Sequence, residues 1–161
     1  MFKLKYVKFQ ANDFEDYFSL VSDKRVMAQI TERAIPLEEA KSNFEKLLMR
    51  NDKDAIIGTY KIKNTYTNEF IGLGHLSLNE KLDEEAEIGY MLLHKYWGNG
   101  YGTEIAQMMI DLAKQTDLRK LTAMIDPENY ASRKILVNQQ FVSEKVCEID
   151  GLLGEILSRN L

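Results

Sequence analysis

Apolar and polar residues alternate over positions 4–9, the period of a strand, and the period then changes to that of a helix. Phe14, Tyr17, Phe18 and Val21 recur at i, i+3, i+4 and i+7 and so form one apolar stripe. Between the two patterns Ala11-Asn12-Asp13 interrupts the strand, and Asn12 followed three residues on by Glu15 has the form of a capping box. The chain is predicted to open as a strand feeding an amphipathic helix.

A second stripe, Leu37, Ala40, Phe44, Leu47 and Leu48, follows Pro36, a residue suited to a first helical turn, and predicts a helix to about position 50. Positions 55–63 and 70–78 are rich in Ile, Tyr, Thr and Leu around the polar stretch 64–69, which predicts a hairpin. Positions 86–93 alternate again, with Ala86, Ile88, Tyr90 and Leu92 on one face and Glu87, Gly89, Met91 and Leu93 on the other. After glycines at 98–102, Ile105, Met108, Met109, Leu112 and Ala113 mark a third helix, and a strand follows at 121–125. Asp126-Pro127-Glu128-Asn129 then opens a helix carrying Ala131, Ile135 and Leu136, and strands at 141–149 and 152–157 flank the turn residues Asp150-Gly151. The order β-α-α-β-β-β-α-β-α-β-β predicts an α/β fold, a mixed sheet with helices on both faces. Element order alone does not identify a function.

Composition narrows the setting. A chain of 161 residues with 45% hydrophobic and 29% charged side chains fits one globular domain, residues 1–161, without staples. A net charge of −4 offers no broad attraction for a phosphate backbone, so nucleic acid is not expected as a partner. Cys147 is the only cysteine, which precludes an internal disulfide and leaves a buried structural thiol or a nucleophile as its roles. The opening Met1-Phe2-Lys3-Leu4-Lys5-Tyr6 lacks the apolar core of a signal peptide, and no apolar run approaches the roughly 20 residues of a membrane span. A cytoplasmic location and no membrane partner are expected.

The strongest chemical signal is Tyr96-Trp97-Gly98-Asn99-Gly100-Tyr101-Gly102-Thr103, where three glycines let backbone N–H groups converge at the positive end of a helix. Such a loop either holds an anionic phosphate or merely turns. It carries no Lys followed by Ser or Thr, as a Walker loop would, and it does not open a long parallel sheet, as a dinucleotide fold would.

At this loop the chain resembles the GNAT acyltransferases, whose hallmark Gln/Arg-x-x-Gly-x-Gly/Ala lies between a strand and a helix; Trp97 departs from the Gln/Arg. The run from Tyr96 to Glu104 resembles the RimJ/RimL-like branch, which acetylates protein N-termini and other amines. Ser22-Asp23-Lys24-Arg25-Val26-Met27, Glu87-Ile88-Gly89-Tyr90 and Asn129-x-x-Ser132 extend the likeness in order and spacing over nearly the whole chain. Gln140, where the family has Gly, and Lys5-Tyr6, where it has Arg-Pro, depart from it. The resemblance implies a mostly antiparallel sheet with a parallel pair at the cofactor site. It also implies direct transfer of an acetyl group from acetyl-CoA, as cosubstrate, to a small-molecule or peptide amine, with no metal.

Such a transfer needs a neutral amine, yet an amine with a pKa near 10.4 is almost wholly protonated at pH 7. Glu87 matches the position where GNAT members place a general base, and a mid-strand carboxylate can be desolvated into that role; pairing with a Lys or Arg, or plain exposure, is the alternative. The family supplies the thiolate's proton from a Tyr or Ser near the fourth helix, matched here by Ser132 with Tyr130 beside it, although Ser132 also suits a first helical turn. The resemblance places the pyrophosphate on residues 97–103 (Trp97, Gly98, Asn99, Gly100, Tyr101, Gly102, Thr103). It gives the thioester carbonyl and pantetheine to N–H groups around Met91, Leu92 and Leu93, and the pantetheine arm to Asn129, which is equally a plausible N-cap.

His75 and His94 have no Cys or Ser partner in a known pattern and receive no role. The acidic run Glu80-Lys81-Leu82-Asp83-Glu84-Glu85 either attracts a cationic substrate or is a solvated loop. A non-catalytic acyl-CoA-binding module is the rival reading, and an interaction protein without cofactor would leave the clustered glycines unexplained. The acceptor, the acyl chain and the oligomeric state, a homodimer included, are not legible in these residues.

Overall fold

A computed structural model of the chain describes residues 3–28, 30–82 and 84–161. Met1 and Phe2 of the opening alternation, and Asp83 of the acidic run, lie outside the described residues. The elements are β1 (Leu4–Lys8), α1 (Phe14–Val21), α2 (Lys24–Met27), α3 (Leu37–Lys53), β2 (Gly58–Asn64), β3 (Phe70–Leu78), β4 (Glu85–Leu92), α4 (Tyr101–Ala113), β5 (Lys120–Ile125), α5 (Tyr130–Asn138), β6 (Val142–Ile149) and β7 (Leu152–Asn160). This is the predicted order with α2 added, a four-residue helix too short to show an apolar stripe.

The strands form one seven-stranded sheet in the order β1-β2-β3-β4-β5-β7-β6. Neighbours are antiparallel except β4 and β5, which are parallel, so the mixed α/β fold and its parallel pair are both present. Strand alternation sends side chains to two separate cores. On one face α4 lays Ile105, Met109 and Ile110, all fully buried, against Leu76, Ile88 and Leu121. On the other, α1 and α3 pack Tyr17, Leu20, Phe44 and Leu47 with Phe9 and Leu73. Full burial of such a side chain contributes about 1.5–3 kcal/mol, so each apolar stripe fixes its helix on the sheet.

Two local expectations change. The start of the first helix is not tied by Asn12 and Glu15. The Asp13 carboxylate accepts the Gln10 N–H at 2.8 Å and also takes the Lys61 ammonium at 2.6 Å, a partly buried pair that fixes the turn against β2. Positions 55–57 are not strand, because the Asp54 carboxylate accepts the N–H groups of Ile56 and Ile57 at 2.7 and 2.9 Å and holds a turn ahead of Gly58.

Candidate active site

The parallel pair is short. Glu85, Ala86 and Glu87 of β4 face Lys120, Leu121 and Thr122 of β5, and the pairing stops there although both strands continue. The β4 backbone beyond that point is left facing a fork, and the phase of its hydrogen bonds decides which groups point into it. Leu93 N–H donates to Ile71 O at 3.0 Å, so the odd-numbered residues of β4 bond β3 and the even-numbered ones face β5. Glu84 O, an even position, accepts from Arg119 and Lys120 on the β5 side, in agreement. Past the last rung the N–H groups of Tyr90 and Leu92 are thus directed into the fork, whereas those of Met91 and Leu93 are turned toward β3. Of the expected donors around Met91, Leu92 and Leu93, the phase keeps Leu92 and corrects Met91 and Leu93, which face β3, the Leu93 N–H being already taken; it adds Tyr90.

A cavity of about 1070 Å³ passes through the fork. One half is bounded by Gly98, Gly100, Gly102, Thr103, Asn129 and Ser132, and the other by Arg25, Glu32, His75, Glu87, Asp150 and Leu153. Alternation explains the division, since Tyr90 and Leu92 face the α4 side with Ile88 while Glu87, Gly89 and Met91 face the α1–α3 side with His75 and Ser77.

In the first half the loop before α4 is set by Gly98 and Gly100, at φ of 78° and 79°, a conformation other residues adopt only with strain. A Cβ built on either meets nothing within 4 Å, so the space above both is open. The first described backbone bond from α4 back to the loop runs from Glu104 N–H to Gly100 O at 3.3 Å, and among the described residues the N–H groups from Gly98 to Thr103 have no protein acceptor in the loop. Free donors at a helix start around open space make a cradle for an anion. Gly102 serves differently. It is buried, and a methyl there would lie 2.9 Å from Ile135 Cδ1, so it sets how closely α5 approaches α4.

Trp97 braces the loop by donating its indole N–H to Leu92 O at 3.1 Å. Its ring packs on His94 with centroids 4.6 Å apart, and His94 Nδ1 lies 3.3 Å from Arg25 Nη1, which links the loop to α2. Asn99 turns back on its own loop, donating to the carbonyls of Tyr96 and Trp97, and does not border the cavity. Asn129 caps α5 by accepting the Ser132 N–H at 3.2 Å, the plainer of its two readings, while it also borders the cavity. Ser132 and Lys134 border the cavity too, but Tyr130 is 75% exposed and stands outside it. The hydroxyl beside Ser132 is that of partly buried Tyr90, 3.5 Å from Ser132 O, with its pKa raised by desolvation against the opposing effect of that contact. Sequence reasoning passed over it because its alternation marked it only as a core position.

In the second half Glu87 stands opposite Ser77 of β3 and Thr122 of β5. Among the described residues it has neither an ion pair nor a hydrogen bond, so the pairing alternative does not apply. The exposure alternative does hold by surface area, since Glu87 is exposed to the open cleft, yet the protein mass around it desolvates it enough to push its pKa above the ordinary carboxylate value. His75, unassigned by sequence, borders the same half, and only the β3–β4 register reveals this. Cys147 is partly buried in β6 and is not part of the cavity wall. Among the described residues no helix is long and apolar enough to cross a membrane.

Comparison with known proteins agrees with this geometry. The profile of the acetyltransferase (GNAT) domain matches residues 3–142. An uncharacterized N-acetyltransferase of Bacillus subtilis (strain 168), YnaD, is 27% identical over 131 residues, 80% of this chain and 73% of YnaD. The chain spans about half the length of two further Bacillus relatives, 51% and 44%, at 33% and 34% identity. Among solved structures, the ribosomal L7/L12 alpha-N-protein acetyltransferase RimL, in complex with coenzyme A, superposes with a TM-score of 0.83 at 17% identity over 100% of this chain and 96% of its own. Spermidine N-acetyltransferase from Vibrio cholerae, with CoA and spermine, superposes with a TM-score of 0.82 at 16% identity over 98% and 95%. At those identities the structural likeness is one of fold, and the match that spans most of the sequence is the domain profile. The chain therefore belongs to the GNAT acetyltransferase family.

Proposed function

We propose that this chain, as one domain, is an N-acetyltransferase of the RimJ/RimL-like branch that moves an acetyl group from acetyl-CoA to a primary amine. The observation that carries the reading is the cavity through the β4–β5 fork, with free N–H donors on one side and an unpaired carboxylate on the other. The residues fit the cosubstrate. The open space over Gly98 and Gly100 accommodates a pyrophosphate against the N–H groups of residues 98–103, and Lys134 supplies a cation at the same half.

Acetyl-CoA supplies a thioester; the chain's residues supply the rest. Tyr90 N–H, pointing into the fork, donates to the carbonyl oxygen on which charge develops. Glu87 takes the amine's proton, directly or through one water, and its raised pKa makes it a stronger base than an ordinary carboxylate. A C–N bond forms as the C–S bond breaks, and the leaving sulfur receives a proton through Ser132, which is restored by the proton that the acylated nitrogen sheds; the Tyr90 hydroxyl is the other donor at that wall. Glu32, Glu87 and Asp150 on the acceptor half favour a cationic amine, in line with the amine substrates named for RimL and the Vibrio cholerae enzyme.

A thioester-release assay with acetyl-CoA against a panel of peptides, polyamines and amino acids tests this reading. Thiol release and acetylated product from at least one primary amine are expected. Tight acetyl-CoA binding with no release above background for any acceptor would instead identify a non-catalytic acyl-CoA-binding module.

A further inference from the structure

The acceptor half contains a side chain that the reaction above does not use. His75 stands opposite Gly89 in the β3–β4 register, and Ser77 stands opposite Glu87, so His75 and Glu87 are diagonal neighbours on one face of adjacent strands. Such neighbours lie about 7–8 Å apart at the backbone, within joint reach of one small group placed between their side chains.

The imidazole lies directly against Gly89. A methyl at that position would come within 2.4 Å of Cε1 and 2.7 Å of Nε2, so glycine there leaves room for the ring. Among the described residues neither ring nitrogen has a hydrogen-bond partner, and the only buried side-chain nitrogen or oxygen without one is Arg159 Nε. The His75 nitrogens are therefore not sealed in the core. The ring borders the cavity, and its open polar edge faces that space.

The residue opposite on β2 is Thr59, which is uncharged. The charged groups around the ring are Arg50 of α3 and Glu87 of β4. Burial first, and the Arg50 cation second, push the imidazole pKa down to about 4, so the ring is neutral at pH 7 and presents one donor and one acceptor.

We propose that His75 is an acceptor-binding residue, whose open ring nitrogen accepts a hydrogen bond from the attacking amine and turns its lone pair toward the thioester while Glu87 takes the proton. This inference rests on the reading of the site as an N-acetyltransferase. It carries a consequence for substrate class. A primary amine that has given one proton to Glu87 keeps two N–H groups, one for His75 and one for the carboxylate side. An N-methylated amine keeps one and must forgo a partner.

The test compares the best primary amine from the panel with its N-methyl analogue on wild type, His75→Phe and His75→Gln. His75→Phe keeps a flat ring against Gly89 without nitrogens, and His75→Gln restores a hydrogen-bonding head. The wild type is expected to prefer the primary amine. In His75→Phe the amine KM should rise about tenfold, the scale of one lost hydrogen bond, and the preference should shrink by a similar factor. Acetyl-CoA affinity and Tm should be unchanged, and His75→Gln should recover part of the loss.

Unchanged amine KM and unchanged preference in a folded His75→Phe protein would overturn the inference, as would a change in Tm alone. If neither variant folds, the wild-type imidazole nitrogen shifts decide: they must move when the amine is added, and no movement at saturating amine refutes the contact. With only two histidines in the chain the signals are readily assigned. A wild type that acetylates no amine fails the functional reading itself, before any variant is made, and takes this inference with it.

Discussion

The two halves of the cavity are built from different material. On the α4 side backbone donors predominate, the N–H groups of residues 98–103 and of Tyr90 freed by a helix start and a strand fork, with Asn129, Ser132 and Lys134 beside them. On the α1–α3 side the walls are side chains from distant segments, Arg25 and Glu32 after α1, His75 and Glu87 in the sheet, and Asp150 and Leu153 in the last hairpin. Backbone donors recognise what every acyl-CoA shares, phosphates and an amide-bearing arm, whereas the side-chain wall can change residue by residue without disturbing the fold. On the proposed reading the difference separates a general cosubstrate site from a particular acceptor site, and substitutions on the two sides should have separable effects.

The largest effect is expected at the meeting point. Glu87→Gln keeps the side chain's size and removes its basicity, so acetyl-CoA binding should persist while turnover falls about 10²–10⁴-fold. The deficit should be greatest near pH 6 and shrink as pH approaches the amine's own pKa of about 10.4, where more substrate arrives neutral. Parallel pH–rate profiles for wild type and variant would remove Glu87 from the proton transfer.

On the backbone side, Gly100→Glu should abolish acetyl-CoA binding in a titration, because a carboxylate would project into the open space over the loop. The φ of 79° adds about 1–2 kcal/mol of strain of its own, so Gly100→Asn, which tolerates that conformation better, is the control and should bind with a modest loss. Equal loss in both variants would attribute the effect to backbone strain and remove the argument for an anion above the loop.

These two positions also mark how much was legible beforehand. Gly98 and Gly100 declare themselves because a positive φ is met by glycine in sequence, and the α4 stripe declares itself because Ile105 and Met109 must face a core. Glu87 was visible through the family resemblance, and its lack of a partner required coordinates. What stayed hidden depended on contacts between strands. That the fork's donors are Tyr90 and Leu92, and not Met91 or Leu93, follows from the hydrogen-bond phase of β4 against β3, which local pattern does not contain. His75 enters the cavity only through its register with Gly89, and Tyr130 leaves it only through the orientation of α5, although Ser132 two residues on faces inward.

On the side-chain wall, the low His75 pKa couples folding to pH. An unfolded histidine takes up its proton below about 6.5, and the folded one waits until about 4, so stability should decline as pH falls through that window. One such group contributes at most about 1.4 kcal/mol per pH unit. Denaturant curves of wild type and His75→Phe, matched at pH 7, should separate as pH falls to 4, with the wild type losing stability that the variant keeps; a constant difference across that range would mean that the ring protonates freely in the folded state.

The smallest effect divides the roles of Asn129, which borders the α4 half of the cavity and caps α5. Asn129→Ala should cost about 1 kcal/mol of stability as the cap is lost. Asn129→Asp retains a capping oxygen but loses the amide donor, so it should keep stability and lose severalfold in acetyl-CoA affinity. Unaltered affinity in Asn129→Asp would leave Asn129 as a cap alone.

The central claim, that free backbone donors at the fork and the helix start hold acetyl-CoA, is tested most directly by titrating the ¹⁵N-labelled protein with acetyl-CoA and following each amide. The account predicts saturable shifts, with one-to-one stoichiometry, concentrated on residues 98–103 and on Tyr90, while the far edge of the sheet at β1 stays still. Absence of shifts at millimolar acetyl-CoA, or shifts that cluster elsewhere and leave the loop and Tyr90 unmoved, would contradict it.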